Sequence, residues 1–284
     1  MRSVDRQFEA AAPALTPSGI IGAILVVVAR VERTEDGIPM LQVVPETNVR
    51  GDLVLWMSHL GGSAEQALPM LERFAATGHP AVSFDAVGHG KRGSGDPWAF
   101  AAQVLGQFRR RMWPILGQTT LDAMRVLTWA QEHVGRAGAV LVGGVSMGGD
   151  AAVALAGIDD RVRRVATIGS TPDWSRPGMR DLRDSGQAVD QGQADAYAQW
   201  FADQLDPIRH LERYRRGIAI TFELGDADHH IPSDNARAFV DELSRLDPAA
   251  AAHLRVQTYP GLDHLAVTTD DTALTQAADW LLVR

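Results

Sequence analysis

Cysteine is absent from all 284 residues of the sequence. That absence removes disulfide stapling, thiolate nucleophiles and zinc–thiolate sites together. Positive charge is in deficit: 27 Lys and Arg stand against 35 Asp and Glu, a formal net charge of −8, and neither end carries a basic tail. Phosphate backbones are bound through clustered cations, so nucleic acid is not an expected partner. Long apolar runs are missing as well. The best candidate, Ile20 to Ala29, is ten residues long, about half of the roughly 20 that a spanning helix needs. It makes a poor secretory signal, because Asp5 and Glu9 lie upstream and no small-x-small cleavage site precedes Glu32. The expectation is a cytoplasmic protein with no membrane partner. There is no internal repeat, no low-complexity tract and no linker, and nothing in the pattern assigns an oligomeric state.

What is present is a globular composition, 45% apolar and 22% charged, in a chain long enough for a sizeable core. Residues 1–18, rich in Ala and Pro, read as a loose arm, and residues 19–284 as a single domain. Ala23 to about Arg33 is rich in β-branched residues, Glu35-Asp36-Gly37 supplies a turn, and Met40 to Val44 resumes the apolar pattern. That predicts an antiparallel hairpin. Short apolar runs follow at Leu53 to Met57, Ala81 to Phe84, Ala139 to Val145, Val165 to Ile168, Ile218 to Leu224 and Leu254 to Tyr259. They are continuous rather than alternating, as in parallel strands covered on both faces. Between them lie segments of helical period, such as Ala123, Leu127, Ala130 and Val134, or Ala236, Phe239, Val240 and Leu243. Strands alternating with helices predict an α/β fold, a doubly wound, mostly parallel sheet with the hairpin at one edge. Residues 171–216 break the alternation and read as a short inserted cap.

One motif carries chemistry. The strand ending at Val145 runs into Gly144-Val145-Ser146-Met147-Gly148-Gly149, and a small-residue helical stretch follows. Strand, sharp turn and helix would hold the Ser146 hydroxyl out beyond the sheet. Side chains two residues to either side would collide there, which accounts for Gly144 and Gly148. The N–H groups opening the helix would face an anion formed beside that hydroxyl. A serine needs a base, and the base needs an acid to fix its tautomer. Gly225-Asp226-Ala227-Asp228-His229-His230 and Pro260-Gly261-Leu262-Asp263-His264 each follow a predicted strand. The C-terminal edge of an open α/β sheet is where ligands bind, so strand-end loops can gather Ser146, Asp228 and His264.

From about Asp52 onward, the sequence resembles the α/β-hydrolase-fold serine hydrolases. Ser58-His59-Leu60-Gly61-Gly62-Ser63 resembles the family's oxyanion loop, Gly144 to Gly148 its nucleophile elbow, Gly225-x-x-Asp228-x-x-Ile231-Pro232 its acid loop and Gly261-x-x-His264 its base loop. Phe84 to Gly93 resembles a further loop, especially in dienelactone-hydrolase-like and prolyl-oligopeptidase-like members. The resemblance implies Ser146 as nucleophile, His264 as base and Asp228, rather than Asp226, as acid. It also implies backbone N–H donors from Leu60, with Gly61 as the alternative, and from Met147. Many relatives have His-Gly where this chain has Ser58-His59.

No cofactor or metal is implied. His229 and His230 sit beside aspartates, but adjacent residues rarely face one ion. His59, Trp174 and Trp200 are candidate pocket residues, with core packing an equal account of the tryptophans. The expected activity is a carboxylesterase acting on a small-molecule ester through an acyl-enzyme. The alternatives are an aminopeptidase-like or acyltransfer reaction at the same serine, or a non-catalytic small-molecule binder.

Overall fold

The computed structural model describes residues 27–45, 49, 51–134 and 139–283. The expected arm at 1–18 and the start of the first expected strand lie outside these residues. In chain order the elements are β1 (Val27–Arg33), β2 (Pro39–Pro45), β3 (Leu53–Met57), α1 (Leu68–Ala76), β4 (Ala81–Phe84), α2 (Pro97–Leu105), α3 (Phe108–Val134), β5 (Val140–Val145) and α4 (Met147–Ile158). They continue with β6 (Val162–Ile168), α5 (Ala196–Leu205), β7 (Ala219–Gly225), α6 (Ser233–Leu246), α7 (Pro248–Ala251), β8 (Leu254–Tyr259), α8 (His264–Val267) and α9 (Asp271–Leu282).

The strands form one sheet in the order β1-β2-β4-β3-β5-β6-β7-β8. β1 and β2 are an antiparallel hairpin turned at Gly37, whose φ of 80° only glycine adopts cheaply. β2 meets β4 antiparallel, and every later pairing is parallel. The continuous apolar runs are explained by cover on both faces. In β3, Leu53, Leu55 and Met57 belong to the core cluster on the side of α3 and α4, while Val54 and Trp56 belong to the cluster on the other face with α1. Each such side chain contributes roughly 1.5–3 kcal/mol of burial free energy.

β6 begins at Val162, three residues before its apolar run. Arg163 and Arg164 hid its start, and Arg164 extends over the Trp280 ring at 5.5 Å while donating to the Trp280 carbonyl at 2.7 Å. Residues 169–218 connect β6 to β7. α5, within this connection, lies on α3, and Phe201 fills the space left by the missing side chain of Gly117. The parallel strands therefore deliver three loops, after β5, β7 and β8, to one rim of the sheet.

Candidate active site

β5 ends at Val145 and α4 starts at Met147, so Ser146 alone makes the turn, with φ 50° and ψ −120°. A positive φ is strained for a residue with a side chain. Neighbours hold it there. The Ser146 N–H donates to the Ile168 carbonyl at 2.8 Å, and the Ser170 hydroxyl donates to the Ser146 carbonyl at 2.9 Å. A Cβ on Gly144 would stand 2.6 Å from the Gly148 carbonyl carbon, and one on Gly148 would stand 2.4 Å from the Met57 oxygen. Neither position accepts any larger residue without moving backbone.

The loop after β7 presents Asp228, buried, with Oδ1 accepting from the N–H groups of His230 at 2.9 Å and Ile231 at 2.7 Å. Its other oxygen, Oδ2, lies 2.8 Å from His264 Nδ1. That contact places the proton on Nδ1 and leaves Nε2 a lone-pair acceptor. Nε2 lies 3.1 Å from Ser146 Oγ. Hydroxyl, imidazole and carboxylate thus form one continuous chain, with the serine positioned to lose its proton to the ring.

Beside it, the turn after β3 carries Ser58 to Ser63. The Gly62 N–H is used within the turn, donating to the His59 carbonyl at 2.9 Å, whereas the N–H groups of Leu60, Gly61 and Met147 meet no protein acceptor among the described residues. Asp85, at the end of β4, ties the turn down by accepting from Ala64 N–H at 2.8 Å and Lys91 N–H at 2.9 Å. His59 is exposed, its Nδ1 donating to the Leu60 carbonyl at 2.9 Å.

The two tryptophans part company. Trp174 is fully buried in the cluster that holds Met147 and against which Leu60 packs. Trp200 sits on α5 with 53% of its surface accessible, its ring against Phe201, and no contact joins it to Ser146 or His264 among the described residues. Asp226 is exposed and accepts from Gly261 N–H at 2.6 Å, clipping the acid loop to the base loop. Asp263 caps α8 by accepting from Ala266 N–H at 2.8 Å.

A charged layer beneath the site has no local sequence signal. Asp150, on α4 one turn after Ser146, pairs with Arg176 at 2.6 Å, both essentially without exposure. Burial pushes the Asp150 carboxyl above its ordinary range, with Arg176 opposing. Arg176 Nη1 also faces His230 Nε2 at 3.4 Å, and the His230 ring lies 5.1 Å from that of His264. Burial first, then Arg176 and His264, push the His230 pKa down to about 3, so this ring is neutral at ordinary pH. His229 is exposed, and no group of three metal-ligating side chains occurs among the described residues.

Comparison with solved structures finds the same architecture. The Thermus thermophilus protein TT1662 superposes with a TM-score of 0.65 at 24% identity, over 90% of this chain and 100% of that one. The Pyrococcus furiosus esterase Pf2001 gives 0.61 at 13% identity, over 94% and 98%. A Mycobacterium tuberculosis puromycin-hydrolyzing peptidase gives 0.61 at 15% identity, over 94% of this chain and 41% of that one. A comparison with curated proteins returns no match. The sequence model of the alpha/beta hydrolase fold matches residues 59–242, and with the sheet order and rim described above the chain belongs to that family of hydrolases.

Proposed function

We propose that the protein is a serine hydrolase, a carboxylesterase that cleaves small-molecule esters through an acyl-enzyme in a cytoplasmic setting. The observation that carries this reading is the unbroken chain from Ser146 Oγ to His264 at 3.1 Å and from His264 to Asp228 at 2.8 Å. In the first half-reaction Ser146 Oγ bonds to the acyl carbon and its proton passes to His264 Nε2. The carbonyl oxygen becomes an anion facing the N–H of Met147 and that of Leu60 or Gly61. The bond to the alkoxy oxygen then breaks, and that oxygen leaves with the proton from His264. Water repeats the sequence and releases the acid. Asp228 stabilises the imidazolium in each half.

Ester rather than amide cleavage is supported by the full-length match to an esterase. Beside the oxyanion turn, a cleft of about 410 Å³ is lined by Gly61, Gly62, His89, Pro97 and Phe100, a size suited to a small molecule. The test is labelling with a fluorophosphonate probe together with turnover of short p-nitrophenyl esters. Labelling and turnover that both vanish in Ser146→Ala support the assignment. Absence of both in the wild type would overturn it in favour of a binder, and a marked preference for aminoacyl amides would replace esterase by peptidase.

A further inference from the structure

Behind the oxyanion turn lies a cavity of about 10 Å³, room for a single oxygen-sized group. Met57, His59, Gly62, His89, Thr119 and Met147 contribute to its wall. Two of these residues carry buried polar atoms that have no partner among the described residues: His89 Nε2 and Thr119 Oγ1. Both residues are more than nine-tenths buried, at 3% and 1% exposure.

The state of each atom follows from its surroundings. His89 Nδ1 donates to the Val87 carbonyl at 2.8 Å, and burial lowers the pKa of the ring, so Nε2 carries a lone pair and accepts. Thr119 lies on α3, where Thr120 and Thr128 turn their hydroxyls back onto the carbonyls of Leu116 and Met124. Thr119 does not make this intrahelical bond, so its hydroxyl is free to donate elsewhere. A buried acceptor and a buried donor on one small cavity are complementary to a group that both gives and takes a hydrogen bond.

We propose that this cavity is a binding site for one hydroxyl oxygen, which donates to His89 Nε2 and accepts from Thr119 Oγ1. The chemistry has two sources, a water molecule or the 2-hydroxyl of a 2-hydroxyacyl ester. The second rests on the esterase reading. Met147 lines the cavity and also carries one of the proposed oxyanion N–H groups, which sets the cavity beside the position proposed for the acyl group.

A high-resolution crystal structure of the resting protein is expected to show an oxygen within hydrogen-bonding distance of both atoms. The peak is lost in Thr119→Val, which keeps the shape of the side chain, and retained in Thr119→Ser. Turnover of ethyl lactate and ethyl propionate separates the sources. A preference for lactate of at least about 10-fold in kcat/KM that collapses in Thr119→Val assigns the oxygen to substrate. A peak that persists when a phosphonate occupies Ser146, with no lactate preference, assigns it to water. A resting structure without the peak, combined with equal turnover of the two esters, overturns the site while leaving the esterase reading intact. A peak present in a protein that hydrolyses neither ester and takes no fluorophosphonate does the reverse.

Discussion

The rim of the sheet and the connection between β6 and β7 are both tied by hydrogen bonds, but the ties differ in range. Within the acid and base loops they are short: Asp228 accepts from residues two and three further on and Asp263 from a residue three further on, while Ser146 is held across the rim by Ile168 and Ser170 at the neighbouring strand end. In the connection they are long. Arg176 reaches Asp150, Trp174 N–H reaches Asp206 Oδ1 at 3.0 Å, and Trp113 Nε1 reaches the Trp174 carbonyl at 2.9 Å. The proposed reacting groups are therefore placed mainly by main-chain geometry, while the connection is anchored by a few buried polar bonds to distant elements. Activity and stability should accordingly fail at different residues.

The largest effect belongs to the rim. Ser146→Ala or His264→Ala should lower kcat by roughly 10⁴- to 10⁶-fold, and Asp228→Asn by about 10⁴-fold, with little change in thermal midpoint. Initial rates beside calorimetry check this, and a large fall in midpoint would erase the distinction between the regions. Next comes the anchor of the connection. Arg176→Met leaves the buried Asp150 carboxyl without its cation, and should cost about 3–5 kcal/mol in urea unfolding. Pairing it with Asp150→Asn should recover part of that loss.

A pH series sharpens the contrast further. Burial pushes Asp206 up to about 7, the Trp174 N–H opposing, so between its ordinary 3.8 and about 7 the native state holds a proton that the unfolded chain has released. That contribution is complete below 3.8 and is lost as pH rises through about 7. His230 works the other way: from 6.5 down to about 3 the unfolded chain gains a proton that the native state refuses, so stability is lost as pH falls. The two slopes oppose between 3.8 and 6.5. Asp206→Asn removes the first, and its thermal midpoint should fall relative to wild type as pH is lowered through that window. A constant difference across the series would refute the buried, neutral carboxyl. The smallest effect is expected from Asp226→Ala, which breaks one exposed clip to Gly261. It should cost about 0.5–1.5 kcal/mol and leave turnover nearly unchanged. A loss of activity rivalling Asp228→Asn would move the acid to the wrong residue.

This difference in range also explains what could be read from the residues. Gly144, Ser146 and Gly148 form a motif because their constraint acts over five positions of backbone, and Asp228 and His264 were legible because strand ends announce themselves. Ser170, Asp150, Arg176 and His230 were not, since each acts on a partner that no local pattern points to. The long helix α3 was recognised only in its second half. Pro114 lies inside it, near its start, and reads as a breaker in sequence, although the helix continues through it. Trp200 shows the limit of residue type alone: an aromatic on a helix packed against α3 still faces outward.

The contact of Gly148 with the Met57 and Ser58 carbonyls has a longer reach than the fit of one turn. It seats the loop of the proposed nucleophile directly on the strand end that launches the proposed oxyanion turn, main chain against main chain. The spacing between the Ser146 hydroxyl and the proposed anion donors then rests largely on main-chain contact. Pro97 and Phe100, on the far wall of the adjoining cleft, lie outside that contact, so they can change in size over generations while the proposed reacting geometry stays constant.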